Sequence, residues 1–140
     1  MRIRRDVQAV IFHKSNRDEK FLLVKKLDFS ARRYRWRLLK GGVKTGETEI
    51  EALKREIFEE VGLENIEVLQ KAHSYQFTFR NTKHLVSTYK VRANLNERIK
   101  LQISEIAGYI WVPKEKAIKM VHWRNEKKAL AAKSRGLKET

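Results

Sequence analysis

GGVKTGETEIEALKREIFEEVGL, residues Gly41 to Leu63, joins a glycine pair, a helix start, a face of glutamates and a helix stop. Thr48 followed three residues later by Glu51 is a capping box. Ile50, Leu53, Ile57 and Val61 recur at spacings of three, four and four, which makes one apolar stripe of a helix over Thr48–Val61. Gly62 is placed to end it. At ~100° per residue, Glu59 lies about 60° to one side of Glu56 and Glu60 about 40° to the other, so the three carboxylates share a face. They occupy the last two turns, where the macrodipole disfavours negative charge, and they repel one another at i,i+4. A sequence selected for stability alone would place lysine there. A hard divalent cation on that face reconciles the arrangement, because Mg²⁺ prefers carboxylate oxygen and also takes phosphate oxygens. A solvated acidic face is the plainer alternative.

Outward from this stretch, the chain alternates strand and helix patterns. Val7 to His13 is a nearly continuous apolar run, as in a strand covered on both faces. Lys14 to Lys20 reads as a turn, Phe21 to Leu27 as a second strand, and Phe29 to Arg35 as a basic loop. Trp36 to Leu39 is a short strand entering Gly41-Gly42, a loop able to bring backbone groups close to a metal or phosphate. Aromatics alternate with polar residues over Tyr75–Phe79, Asn81–Lys83 turns, and Leu85–Val91 returns. Tyr109–Val112 is a further strand. A short helix follows from Pro113 to about Met120, and a terminal helix spans Asn125–Arg135 with Gly136 as its stop. Strands on both sides of a central helix predict an α/β fold of sandwiched layers. No repeat or linker divides the chain, so residues 1–140 are expected to form one domain.

Charge is unevenly spread. Residues 47–67 hold eight of the seventeen acids against two bases, a net −6, which leaves +21 on the rest of a +15 chain. A basic body around an acidic focus suits a polyanion held beside a metal ion, and equally a solvated basic surface. With no cysteine there is no disulfide, thiolate metal site or thiol nucleophile. No run approaches a membrane span, and the Val7–Phe12 run after basic Met1–Arg5 is too short for a signal sequence. The expectation is a cytoplasmic protein without membrane attachment; nothing in the sequence sets an oligomeric state.

Gly41, then five residues, Glu47, then seven, then Arg55-Glu56-Ile57-Phe58-Glu59-Glu60-Val61-Gly62-Leu63 resembles the signature box of the Nudix (MutT-like) hydrolases. All nine specified positions across these 23 residues are filled. The flanking strands and the Leu38–Gly42 approach are also similar to that family. The resemblance implies a Nudix-type α/β/α sandwich with a mixed β-sheet and a central strand–loop–helix catalytic motif. It implies hydrolysis of nucleoside diphosphates linked to a further group, with Mg²⁺ or Mn²⁺. Glu56, Glu59 and Glu60 match the metal-binding glutamates, and the Lys40 carbonyl matches a backbone ligand. Arg55 and Glu47 match a supporting pair. Glu105 matches a loop glutamate that binds metal or acts as base, with a plain exposed glutamate as the alternative. Glu56, Glu59, Glu105 and Arg55 are thus the expected catalytic set. Leu39 departs from the family pattern, where proline is common.

Substrate identity is less determined. Tyr34, Trp36, Tyr75, Phe77 and Phe79 are candidates to stack on a base or to be core. Tyr75 and Tyr89 are candidates for a tyrosine that marks the dinucleoside polyphosphate branch. Arg32, Arg33, Arg35, Arg37 and Lys40 form a cluster that either clamps distal phosphates or is a solvated loop. Because Arg35, Arg37 and Leu39 alternate onto one face, the two arginines are expected to act together or not at all. No proline lies between Gly41 and Pro113, which weighs against the ADP-sugar branch. His13, His73, His84 and His122 show no ligand spacing. The expected function is metal-dependent pyrophosphohydrolysis of nucleoside or dinucleoside polyphosphates by activated water. The alternatives are an RNA 5′-end pyrophosphohydrolase and a catalytically silent RNA-binding module of the same fold.

Overall fold

The computed structural model describes residues 1–133. At its centre is β1 (Arg2–Ser15), longer than the apolar run that announced it. Val7, Ala9 and Ile11 point into one core while Val10 and Phe12 point into the other. Burial on both faces is why this strand is apolar almost throughout. Its two polar interruptions, Asp6 and Gln8, are fully buried and serve the site. β1 pairs in parallel with β6 (Thr82–Arg92) and antiparallel with β4 (Leu39–Gly42) through Asp6–Ala9. Beyond, it pairs antiparallel with β2 (Asp18–Asp28) through Phe12–Ser15. β2 in turn carries β3 (Arg33–Arg37) and β7 (Gly108–Val112), and β5 (Glu67–Phe79) lies outside β6.

α1 (Glu49–Val61) covers one face of this mixed sheet with Ala52, Leu53, Ile57 and Val61. α2 (Lys114–Met120) and α3 (Arg124–Ala131) cover the other with Ala117, Ala129 and Leu130. These layers are the α/β/α sandwich. Both reciprocal bonds of the capping box form: Thr48 Oγ1 accepts from the Glu51 N–H at 3.1 Å, and Glu51 Oε1 accepts from the Thr48 N–H at 2.9 Å. Gly62 ends α1 at φ 74, a left-handed conformation that costs glycine little.

Several boundaries differ from the sequence reading: β3 begins at Arg33, inside the expected Phe29–Arg35 loop, because it pairs with β2 from Asp28↔Arg33 onward, and β5 begins at Glu67, well before Tyr75. The two-residue turn Asn16-Arg17 suffices where a seven-residue turn was expected, because Asn16 adopts φ 53 and β2 starts at Asp18. The β5–β6 turn is Arg80-Asn81, both at positive φ, as tight hairpins require, and Thr82 already belongs to the strand. The terminal helix stops at Ala131, since Ala132 is extended; Arg135 and Gly136 lie outside the described residues.

Ile57 is fully buried between α1 and the sheet. Ile57→Ala is expected to cost about 2–5 kcal/mol in urea unfolding, as for other large-to-small core changes. A loss under about 1 kcal/mol would mean that α1 is not seated on the sheet as described.

Candidate active site

The acidic end of α1 faces the β4 strand and the loop before β7. Two backbone bonds fix that loop to the helix end. The Lys100 N–H donates to the Val61 carbonyl at 2.8 Å and the Gln102 N–H to the Glu60 carbonyl at 3.0 Å. Carbonyls that a helix leaves unsatisfied at its C-terminus are thereby paired. Ile106, buried in the α1 core, anchors the loop from the other side. Glu105 stands exposed just before it and is carried to the glutamates of α1. The result is a cavity of about 390 Å³ bordered by Lys40, Gly41, Glu56, Glu59, Glu60 and Glu105, with Arg4, Lys26, Arg37 and Gln102 completing its wall. A Cβ at position 41 would fall on the Glu56 carboxylate, so any larger residue there would push that side chain out of its present place.

Arg55 organises the wall. Nε donates to Glu47 Oε2 at 2.6 Å; Nη2 donates to Glu47 Oε1 and to the Gly42 carbonyl, each at 2.9 Å. Nη1 donates to Glu56 Oε1 at 2.8 Å and Glu59 Oε1 at 2.7 Å. All five guanidinium protons are used. Its pKa rises, chiefly through the Glu47 bond, and Glu47 falls to about 2, chiefly through the same bond.

Glu60 is the opposite case. It is 2% exposed, and burial pushes its carboxyl up to about 8; Glu56 and Glu105 reinforce this, and Lys26 Nζ, 3.6 Å from Oε1, opposes it. That Oε1 is buried without a hydrogen-bond partner. Among the described residues no three acidic or histidine side chains converge as a ready cage, since Arg55 holds one oxygen each of Glu56 and Glu59. The donor set still fits a hard cation: an unpartnered buried oxygen on Glu60, further carboxylates beside it, and a glycine loop without side chains in the way.

The basic candidates separate. Arg37 reaches the cavity, its guanidinium 4.5 Å from the Trp123 ring and 3.4 Å from Glu126 Oε2. Arg35 turns to the same ring, at 5.8 Å, but is held by Asp28 at 2.8 Å and does not line the cavity. Both side chains reach the Trp123 ring and each has a carboxylate partner, Asp28 for Arg35 and Glu126 for Arg37, but only Arg37 lines the cavity. β3 also ends at Arg37, so Leu39 belongs to the next strand. The Lys40 side chain leans over the Phe77 ring at 5.0 Å and lies 3.7 Å from Asp6 Oδ2; burial lowers its pKa. Tyr75 lies outside the carboxylate cavity. Its hydroxyl donates to Gln8 Oε1 at 3.2 Å, and burial raises its pKa. Tyr75 stacks between His73 and Phe77, and Phe77 lies on His84 at 4.5 Å.

Sequence reasoning missed the buried polar relay behind Lys40. Glu126, 1% exposed, accepts from Gln8 Nε2 at 3.0 Å and from the Leu38 N–H and Arg37 Nη2, both at 3.4 Å. It ties α3 to the junction of β3 and β4. Polar Asp6 and Gln8 inside an apolar strand were the available signal; Glu126 offered none.

A model of the NUDIX domain matches residues 4–133, and the chain belongs to that family. It is a Nudix hydrolase, an enzyme of phosphoanhydride bonds. Solved structures with the same fold include the Caenorhabditis elegans Ap4A hydrolase binary complex, at 22% identity and TM-score 0.77, covering 91% of this chain and 92% of that one. The E. coli ORF135 protein aligns at 23% identity and TM-score 0.75, covering 94% and 89%. The E. coli dihydroneopterin triphosphate pyrophosphohydrolase aligns at 19% and 0.74, covering 90% and 91%. No curated protein sequence matches the chain. Among the described residues, no helix is long and apolar enough to cross a membrane.

The Glu60 environment has a pH signature. Without metal the folded protein keeps a proton to about pH 8 that the unfolded chain releases near its ordinary 4.5. Stability from this group is present at low pH and is lost as pH rises through that window. In EDTA, the melting temperature of wild type should fall between about pH 5 and pH 8 more steeply than that of Glu60→Gln. Parallel curves for the two proteins would show that Glu60 is not held in this environment.

Proposed function

We propose that this enzyme hydrolyses a phosphoanhydride bond in nucleoside or dinucleoside polyphosphates, with Mg²⁺ or Mn²⁺ as cofactor. The observation that carries the reading is the buried Glu60 oxygen, without a hydrogen-bond donor and with only Lys26 at 3.6 Å, in a cavity shared with Glu56, Glu59 and Glu105. Glu56, Glu59 and Glu60 would hold the cation, with the Lys40 carbonyl and Glu105 completing its shell. When bound, it neutralises phosphate charge and acidifies water. Arg55 keeps Glu56 and Glu59 oriented, as hydrogen-bonded supporting groups do around ligating carboxylates. Water attacks one phosphorus as its bridging P–O bond breaks; the other phosphate leaves carrying the bridging oxygen, its charge offset by Arg37 and Lys40, and Glu105 or a helix glutamate accepts the proton of the attacking water. Arg37 and Lys40 present positive charge to phosphate oxygens further along the chain. Lys26, 3.6 Å from Glu60 Oε1, only partly offsets the burial that keeps Glu60 protonated, so a cation entering the site would displace that proton. The Ap4A hydrolase among the similar structures, a dinucleoside polyphosphate enzyme by name, is in keeping with this substrate class.

Phosphate and pyrophosphate release across a panel of nucleotides decides the matter. Release with Mg²⁺ or Mn²⁺ and none in excess EDTA is expected, and Glu60→Gln should lower turnover by at least ~10²-fold. Full activity in EDTA, or wild-type turnover in the variant, would contradict the reading.

The two arginines should now differ. Arg37→Ala is expected to raise KM more for a tetraphosphate than for a diphosphate-linked substrate, and the effect should shrink with salt, since exposed charges are screened over ~10 Å at 0.1 M. Arg35→Ala should change KM little. Equal changes for both substrates in Arg37→Ala would remove it from the phosphate path.

A further inference from the structure

A second cavity, of about 730 Å³, opens beside the first at the pole where β1 begins. Its walls are the start of β1, the loop after β4 and the β5–β6 turn. Backbone bonds lock these walls together: the Val43 N–H donates to the Arg5 carbonyl at 2.9 Å and the Arg2 N–H to the Asn81 carbonyl at 3.3 Å. Arg2, Arg4, Arg5, Lys44 and Arg80 line it. The acid at its border, Glu47, is already bound through both oxygens by Arg55. Arg4 and Arg5 have carboxylate partners, Asp6 at 2.7 Å and Glu49 at 2.8 Å. Among the described residues Arg2 and Arg80 make no ion pair, Lys44 acts only on Glu47, and all three face solvent. Phe79 stands at the lip, 50% exposed, with the Arg80 guanidinium 5.0 Å from its ring centre.

We infer that this cleft binds single-stranded nucleic acid, its cations tracking the phosphodiester backbone and Phe79 with Arg80 offering a stacking platform to an unpaired base. The chemistry favours a strand over a small anion because the cations are spread along an open cleft rather than converging on one point. It favours an unpaired strand over a duplex because an exposed aromatic needs a free base face. It favours sequence tolerance because the walls offer mainly charge and the Phe79 ring, and their part-buried polar ring, His84, is already engaged by Asp6 at 2.8 Å. Arg4 borders both cavities. A strand whose 5′ phosphates occupy the carboxylate cavity would therefore lead its first nucleotides directly into the cleft. That direction of threading rests on the catalytic reading above; the binding itself does not.

The test is fluorescence anisotropy with a 3′-labelled, 5′-monophosphorylated pyrimidine RNA of about 12 nucleotides in EDTA, so that binding is read without turnover. The double variant Arg2→Glu/Arg80→Glu and the single variant Phe79→Ala touch neither the glutamates nor Arg55. The double variant should bind at least tenfold more weakly at 0.1 M salt, with the slope of log affinity against log salt reduced by roughly 1.4, the loss of two single-strand phosphate contacts. Phe79→Ala should weaken single-strand binding about tenfold, as loss of one stacked base does, and leave duplex RNA unchanged. Both variants should melt like wild type and hydrolyse a mononucleotide substrate within twofold of it. Unchanged affinity and salt slope in the double variant would overturn the proposal. So would equal binding of duplex and single strand, or equal competition by an acidic peptide, since either would reduce the cleft to undirected positive charge. RNA binding without any phosphoanhydride hydrolysis would leave this proposal standing and refute the catalytic one; hydrolysis without RNA binding would do the reverse.

Discussion

Arg55 is the constraint on which the site depends. One guanidinium binds the loop after β4 through Glu47 and the Gly42 carbonyl, and the acidic helix face through Glu56 and Glu59. A rigid fork suits this role as a lysine point charge would not, because five donors at fixed angles set the spacing of three carboxylates and a carbonyl at once. Carboxylates so close together would repel in isolation. Bound to a common cation, they become a scaffold that holds the strand, the loop and the helix in one relation.

Glu60 lies outside that scaffold, and the difference defines its chemistry. Arg55 satisfies its neighbours, whereas Glu60 is buried against the sheet with an oxygen left unpaired and only Lys26 nearby to offset its charge. A buried carboxylate without hydrogen-bond donors is expensive to ionise, even with one lysine nearby. Its retention at the bottom of an acidic cavity is a cost kept at the candidate site, and in the proposed mechanism a divalent cation would be the partner that removes it. The two cores flanking the sheet supply the rigidity this requires. The α1 core seats the glutamates through Ile57 and the Glu105 loop through Ile106, and the α3 core carries Glu126 to the β3–β4 junction.

The helix and its glutamate face were legible because local chemistry set them. The capping box, the stripe of Leu53, Ile57 and Val61, and Gly62 each act within a few residues of sequence. The Arg55–Glu47 pair was legible only through the resemblance to the family's signature box. Beyond that, long-range contacts took over. Asp28 withdraws Arg35 from its neighbour Arg37, a pairing set by the β2–β3 register. Tyr75, placed by alternation among its aromatic neighbours, spends its hydroxyl on Gln8, across the sheet. Glu126, 118 residues from its partner Gln8, had no local signature at all. Turn lengths were overestimated where asparagine and arginine accept positive φ, which residue type alone does not reveal.

The central claim is that the acidic end of α1, oriented by Arg55, is built to receive a divalent cation. Calorimetric titration of metal-free protein with Mn²⁺ tests it most directly, because binding is read without reference to any substrate. The account predicts saturable binding that falls by about 10–100-fold in Arg55→Lys, which keeps the charge and loses the fork. Wild-type affinity in Arg55→Lys, or no saturable binding by the wild-type protein, would contradict it.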